Sequence, residues 1–144
     1  MVRIGLLLAV TLAPGAMRQP PVEFTEDSLE VVQENVACDR AVLVDVRGLE
    51  EWNAGHIEGS LFVPVTSLRK YSLDPAKLAK TLPPKKEKKI LYTFCVVGMR
   101  ARQAARILEE QGYVVRALKP GYDELIEAGF QRADDEDSPK RHAR

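Results

Sequence analysis

The sequence predicts an α/β protein built in three layers, with a central, mainly parallel sheet flanked by helices. Short apolar runs rich in β-branched residues alternate along the chain with segments whose apolar residues recur at helical spacing. The chain has 144 residues, of which 45% are hydrophobic and 29% are charged. This length and balance are typical of one folded domain rather than of a disordered chain.

Four segments have the length and composition of strands. The first, Ala41–Val46, is almost continuously apolar, a pattern typical of a strand that is covered on both faces. The second is short and ends at Pro64, which cannot donate a hydrogen bond to a neighbouring strand. The predicted strands are Ala41–Val46, Leu61–Pro64, Ile90–Phe94 and Tyr113–Leu118.

Helical spacing marks the segments between these strands. Leu29, Val32 and Val36 fall at positions i, i+3 and i+7, as on the buried face of an amphipathic helix. A glycine stops each of the later helical patterns, because glycine readily adopts the conformation that ends a helix. The predicted helices are Glu26–Ala37, Leu49–Gly55, Met99–Gln111 and Tyr122–Ala128.

Composition excludes several classes of function. Lys+Arg and Asp+Glu both number 21, so the chain lacks the basic surplus that bulk nucleic-acid binding requires. Two cysteines and two histidines, without a paired CxxC, argue against a disulfide framework and against a metal site. No apolar run reaches the ~18 residues of a membrane-spanning helix, so we expect no stable membrane insertion of the mature chain.

The two ends of the chain differ from its middle. Met1–Ala16 has one basic residue, then the apolar run Ile4–Ala13, then small residues, which predicts a secretory signal peptide and a periplasmic or secreted protein. Two alternatives are a cytoplasmic protein that starts at Met17 and a first helix or strand packed on the domain. Residues 132–144 are predicted to form a polar tail, and residues 24–131 the folded domain.

The junction between the third strand and the following helix carries the best candidate site. A thiol at Cys95 would lie beside the unpaired N–H groups and the positive end of a helix, which favour the thiolate. Gly98 permits a positive φ, and Arg100 adds planar donors suited to an oxyanion. The alternative is that Cys95 is a small apolar residue at the end of a buried strand.

Three segments in order resemble the rhodanese (thiosulfate sulfurtransferase) family. Cys95–Arg100 has the form C-x-x-G-x-R of that family's active-site loop. Upstream, Leu43–Trp52 and Gly55–Ser60 are similar to the family's D-V-R…E-[YW]…G-H-I-x-G-A segment, and downstream Leu118–Tyr122 is similar to its L-x-G-G-[YW] turn. The resemblance implies a rhodanese-like sandwich over residues 24–131.

The resemblance also implies a reaction. A thiolate at Cys95 would take the outer sulfur of a small anionic donor such as thiosulfate, become a persulfide, and pass that sulfur to a thiol, cyanide or a protein acceptor. No metal or organic cofactor is implied. The backbone of the loop would bind the persulfide, and Arg100 would help to hold the donor. The loop residues in question are Val96, Val97, Gly98, Met99 and Arg100.

Two other classes of protein are weighed against this enzyme. Related phosphatases and arsenate reductases have a longer C-x5-R loop, which would need arginine where this chain has Ala101. The second alternative is a non-enzymatic protein of the same fold, either a persulfide carrier or an interaction module. An inactive module would normally lack the loop cysteine.

Further polar residues have weaker claims to a role. Asp45 and Arg47 end the first strand and are possible supporting residues, although Arg47 and Glu51 are also spaced for a simple i, i+4 ion pair. The resemblance places His56 in a structural turn. Cys38 could resolve a Cys95 persulfide as a disulfide, but a bystander thiol is the favoured interpretation.

Overall fold

The structure, a computed structural model, describes residues 21–70 and 74–133. The predicted signal peptide, residues 1–16, and the tail from residue 134 onward therefore lie outside the described residues. None of the helices in the described ranges is long and apolar enough to cross a membrane.

Four parallel strands form one sheet, in the order β2-β1-β3-β4. This arrangement, with helices on both faces, confirms the predicted fold class. The strands are β1 (Ala41–Asp45), β2 (Leu61–Phe62), β3 (Ile90–Phe94) and β4 (Val114–Ala117). The helices are α1 (Leu29–Ala37), α2 (Leu49–Ala54), α3 (Val65–Lys70), α4 (Pro75–Thr81), α5 (Met99–Glu110) and α6 (Tyr122–Glu127).

The strands β1 and β3 form the centre of the sheet and pair along their full length. Ala41 pairs with Ile90 at one end, and Asp45 pairs with Phe94 at the other. Because all strands are parallel, their carboxyl ends meet along one edge of the sheet, which is where ligands gather in open α/β folds. The candidate loop at Cys95 begins on that edge, directly after β3.

Two apolar cores lie on the two faces of the sheet, since alternate residues of a strand point to opposite sides. One core joins Val44 and Leu91 of the sheet to the helices α3, α4 and α5. The other joins Leu43 and Tyr92 to α1 and α6. Burial on both faces explains why β1 and β3 read as nearly continuous apolar runs.

The structure corrects some predicted boundaries. The first helix begins at Leu29 rather than Glu26, because the Ser28 hydroxyl accepts a hydrogen bond from the amide of Val31 and caps the helix there. The helices α3 and α4 were not predicted. The proline at N1 of α4 and the cap at Asp74, whose carboxylate accepts from the amide of Ala76, are local signals that could have revealed it.

Candidate active site

Cys95 is the first residue of the loop that joins β3 to α5. The residue is 1% exposed, and its Sγ accepts a hydrogen bond from the backbone N–H of Gly98 at 3.1 Å. The helix α5 begins at Met99, so the sulfur lies beside the positive end of a twelve-residue helix. This position suits a sulfur anion.

Gly98 is required at the turn into α5 for two reasons. Its φ of +88° lies in the left-handed region, where a side chain is strained. A Cβ atom at this position would also lie 2.6 Å from the aromatic ring of Phe24. Glycine therefore allows the chain to turn so that the amide of residue 98 faces the sulfur.

The loop is also held from the α6 side. The amide of Tyr122, the first residue of α6, donates a hydrogen bond to the carbonyl oxygen of Cys95 at 2.9 Å. Gly121, just before it, lies so close to the backbone of Val96 that an added Cβ atom would be 2.6 Å from the Val96 carbonyl carbon. The start of α6 thus supports the first two residues of the loop by direct backbone contact.

Arg100 forms a bidentate ion pair with Glu51 of α2. Its Nη1 and Nη2 donate to the two carboxylate oxygens at 2.6 and 2.9 Å. The hydrogen bonds from Arg100, helped by one from the amide of Gly48, lower the pKa of Glu51 from its ordinary value to about 2. The pKa of Arg100 is raised, mainly by Glu51 and also by the neighbouring Cys95 sulfur. The guanidinium is therefore charged, close to the thiol and already bound.

The low pKa of Glu51 predicts a pH-dependent contribution to stability. Because the folded-state pKa lies below the ordinary value of 4.5, the contribution is present above that value and is lost as the pH falls towards 2. We expect Glu51→Gln to lower the free energy of unfolding at pH 7 by about 1 kcal/mol, since both partners are over a third exposed and solvent screens the pair. Urea unfolding of both proteins at pH 7 and pH 3 checks this. A difference that stays constant between the two pH values would contradict it.

Asp45 and Arg47 form a buried ion pair below the loop. The Asp45 carboxylate is completely buried, and the Arg47 side chain is 5% exposed. Arg47 donates to both carboxylate oxygens at 2.7 to 3.0 Å and to the carbonyl oxygen of Gly55 at 2.8 Å. Its guanidinium also lies 4.2 Å above the centre of the Tyr122 ring. The pair therefore connects β1, the end of α2 and the start of α6.

This pairing differs from the i, i+4 pair that the spacing of Arg47 and Glu51 allows. Arg47 binds Asp45, and Glu51 turns to Arg100 on a different helix. The physical reason is proximity in the sheet: β1 and β3 are neighbours, so the elements that follow them meet at the same edge. Glu51 is thus a residue near the thiol to which the sequence pattern assigned no role there.

Cys38 and Cys95 lie at opposite ends of the parallel strands. Cys38 is exposed and caps the end of α1, just before β1, whereas Cys95 follows the last residue of β3. A five-residue strand spans about 15 Å. Since a disulfide requires Cα atoms within about 7 Å, the fold supports no internal disulfide between these two thiols.

His56 is part of the packing below α2 rather than of the loop. It is 7% exposed, and its ring stacks on that of Trp52 with the centroids 3.8 Å apart. Among the residues that the structure describes, no group of three or more His, Cys, Asp or Glu side chains is placed to hold a metal ion.

Comparison with known proteins identifies the family of this chain. The model of the rhodanese-like domain family matches residues 28–128. The chain is 36% identical over 105 residues to the human thiosulfate:glutathione sulfurtransferase. The aligned residues cover 69% of this chain and 91% of that protein. A putative sulfur carrier protein of Bacillus subtilis is 32% identical over 89 residues, or 61% of this chain and 43% of that one.

A solved structure shows the same fold. That of a human single-domain sulfurtransferase superposes with a TM-score of 0.60 at 32% identity, covering 75% of this chain and 96% of that one. The family match spans the sheet, the loop at Cys95 and the residues that support it. The chain belongs to the rhodanese-like domain family.

Proposed function

We propose that this protein is a sulfurtransferase that carries a sulfane sulfur as a persulfide on Cys95. The observation that carries the proposal is the hydrogen bond from the Gly98 amide to the Cys95 sulfur at the start of α5. Family membership supports sulfur transfer in general, and the contacts of the loop support Cys95 as the thiol that carries the sulfur. Thiosulfate and a thiol such as glutathione are proposed as a donor and acceptor pair, as in the name of the human relative.

In the first step the Cys95 thiolate attacks the outer sulfur of the donor. A new S–S bond forms as the S–S bond of thiosulfate breaks, and sulfite leaves with the electron pair. The negative charge moves from Cys95 Sγ to the outer sulfur of the persulfide. The backbone N–H groups at the start of α5 stabilise this anion as an oxyanion hole stabilises oxygen. Arg100 also lies nearby, where the carboxylate of Glu51 holds its guanidinium in place and balances its charge.

In the second step an acceptor attacks the outer sulfur of the persulfide. An acceptor thiolate becomes a persulfide, or cyanide becomes thiocyanate, and the Cys95 thiolate is restored. The two half-reactions share one site, so steady-state kinetics should show a ping-pong pattern. Neither half-reaction needs an oxidant or a cofactor.

Mass spectrometry of the reduced protein before and after thiosulfate tests the proposal. We expect one added sulfur on the peptide that contains Cys95, and its removal by cyanide with release of thiocyanate. Cys95→Ser should abolish both signals. Cys38→Ser is the matched control, because it removes an exposed thiol at the opposite edge of the sheet and should leave both signals unchanged. Sulfur added to Cys38, or to neither thiol, would contradict the proposal.

A persulfide carrier is the second candidate, and the similarity to a putative sulfur carrier protein favours it. A carrier would load one sulfur on Cys95 but turn over slowly with small acceptors. Comparing the rate of loading with the rate of thiocyanate formation separates the two. Fast loading with release at least about a hundredfold slower would favour the carrier.

A further inference from the structure

The rim of the loop around Cys95 is apolar. Six large apolar side chains are exposed in the described parts of the chain, and three of them belong to this loop. Val97 is 71% exposed, Met99 is 58% exposed and Val96 is 45% exposed. Cys95 itself is only 1% exposed. A molecule whose terminal sulfur reaches Cys95 must therefore place the rest of its structure against this rim.

Arg100 and Arg47 are each paired with a carboxylate that balances their positive charge. Both terminal nitrogens of Arg100 bind the carboxylate of Glu51. Arg47 is buried and binds Asp45 and a backbone carbonyl. Neither guanidinium adds net positive charge to the approach, so a donor anion meets mainly the N–H groups of the loop.

A depression beside the loop adds negative charge. Two of its lining residues, Asp123 and Glu124 in the first turn of α6, are exposed carboxylates. The exposed Lys119, which precedes α6, is not among the residues that line it. The full lining is Arg47, Val96, Val97, Tyr122, Asp123 and Glu124. Apolar contact is thus available to an entering molecule, whereas a second negative charge on it is repelled.

We propose that the preferred sulfur donor is an organic sulfane compound with an apolar substituent and at most one negative charge, of the thiosulfonate class, rather than the dianion thiosulfate. This inference rests on the proposed sulfur transfer through Cys95. The terminal sulfur of the donor forms the new S–S bond with Cys95, the bond between the two donor sulfurs breaks, and a sulfinate leaves with the electron pair. The apolar substituent lies on the rim and loses contact with water, which favours binding.

Three donors separate the effects of charge and apolar contact. Thiosulfate has two negative charges and no apolar group, methanethiosulfonate has one charge and a methyl group, and benzenethiosulfonate has one charge and a phenyl ring. Each kcat/KM for thiocyanate formation is divided by the rate of the same donor with a simple thiol in solution, which removes intrinsic reactivity. We expect kcat/KM to rise in the order given, by at least about tenfold overall, as for a gain of 1.4 kcal/mol.

Val97→Lys tests the rim directly. It replaces an exposed apolar contact with a positive charge, so the preference for benzenethiosulfonate over thiosulfate should fall by at least about fivefold. Val114→Lys is the matched control. Val114 is 44% exposed at the start of β4 and pairs with Ile90, at the edge of the sheet opposite to Cys95. This control should leave the preference unchanged.

The outcomes distinguish this inference from the function on which it rests. Equal or faster normalised transfer from thiosulfate, or a preference that Val97→Lys does not change, would overturn the inference while sulfur transfer through Cys95 stands. Failure of all three donors to load Cys95 would overturn the proposed function, and the inference with it.

Discussion

Replacing Arg47 with methionine is expected to lower the free energy of unfolding by about 3–5 kcal/mol, because it leaves a buried carboxylate without its ion partner. The Asp45 carboxylate has no exposed surface, and the Arg47 guanidinium donates three of the four hydrogen bonds that this carboxylate accepts in the described structure, the fourth coming from the backbone N–H of residue 47. After the substitution, the backbone N–H of residue 47 would be the one remaining donor from this residue to the Asp45 carboxylate. Urea unfolding at pH 7 measures the loss.

Two comparisons show whether the buried charge is the cause. Arg40→Met removes an arginine from an exposed ion pair with Glu34, whose side chains are 53% and 69% exposed, and should cost less than about 1 kcal/mol. Adding Asp45→Asn to Arg47→Met removes the unpaired charge and should restore part of the stability. A double variant that is less stable than Arg47→Met would contradict this explanation.

Replacing Gly121 with alanine is expected to slow sulfur transfer by about 100-fold, the loss that a displacement of roughly 1 Å can cause at a reacting centre. The φ of Gly121 is −98°, which alanine adopts without strain, so backbone conformation is not the reason. The reason is contact: the added Cβ atom would lie 2.6 Å from the carbonyl carbon of Val96. The loop must move away from α6, which displaces the N–H of Gly98 from the sulfur of Cys95.

Gly48→Ala is the matched control for this variant. Gly48 also precedes a six-residue helix, and its amide donates to Glu51 as the amide of Gly121 donates to Glu124. A Cβ atom at Gly48 would meet its nearest neighbour at 3.5 Å, an ordinary contact. We expect Gly48→Ala to keep its rate of thiocyanate formation within about twofold of the original protein, as is usual where no contact is disturbed. Equal rates in the two glycine variants would contradict the proposed role of the contact with Val96.

Helices and strands were predicted best where a clear sequence pattern lies within one segment. The strand β3 has the predicted bounds, and α5 ends one residue earlier than predicted. Both have strong periodic patterns within a single segment. The helix α3 was missed because its six residues contain only two apolar positions that pack in the core, Val65 and Leu68, too few to show a period.

Side-chain partners were less predictable than elements. Spacing offered Glu51 as a partner for Arg47, but Glu51 binds Arg100, 49 positions along the chain. The contact exists because two separate strand-to-helix junctions meet at one edge of the sheet. No pattern within either segment contains that information.

Patterns within short segments were enough to predict the α/β class, the order of the main elements and the position of Cys95 between a strand and a helix. The ion pair of Arg100 with Glu51, the contact of Gly121 with Val96 and the exposure of the rim became known from the folded chain. These features arise where β1, β3 and α6 come together, and packing between distant segments sets them. The likeness to other family members indicates sulfur transfer, and the exposed apolar rim around Cys95 is the basis of the donor preference that we propose.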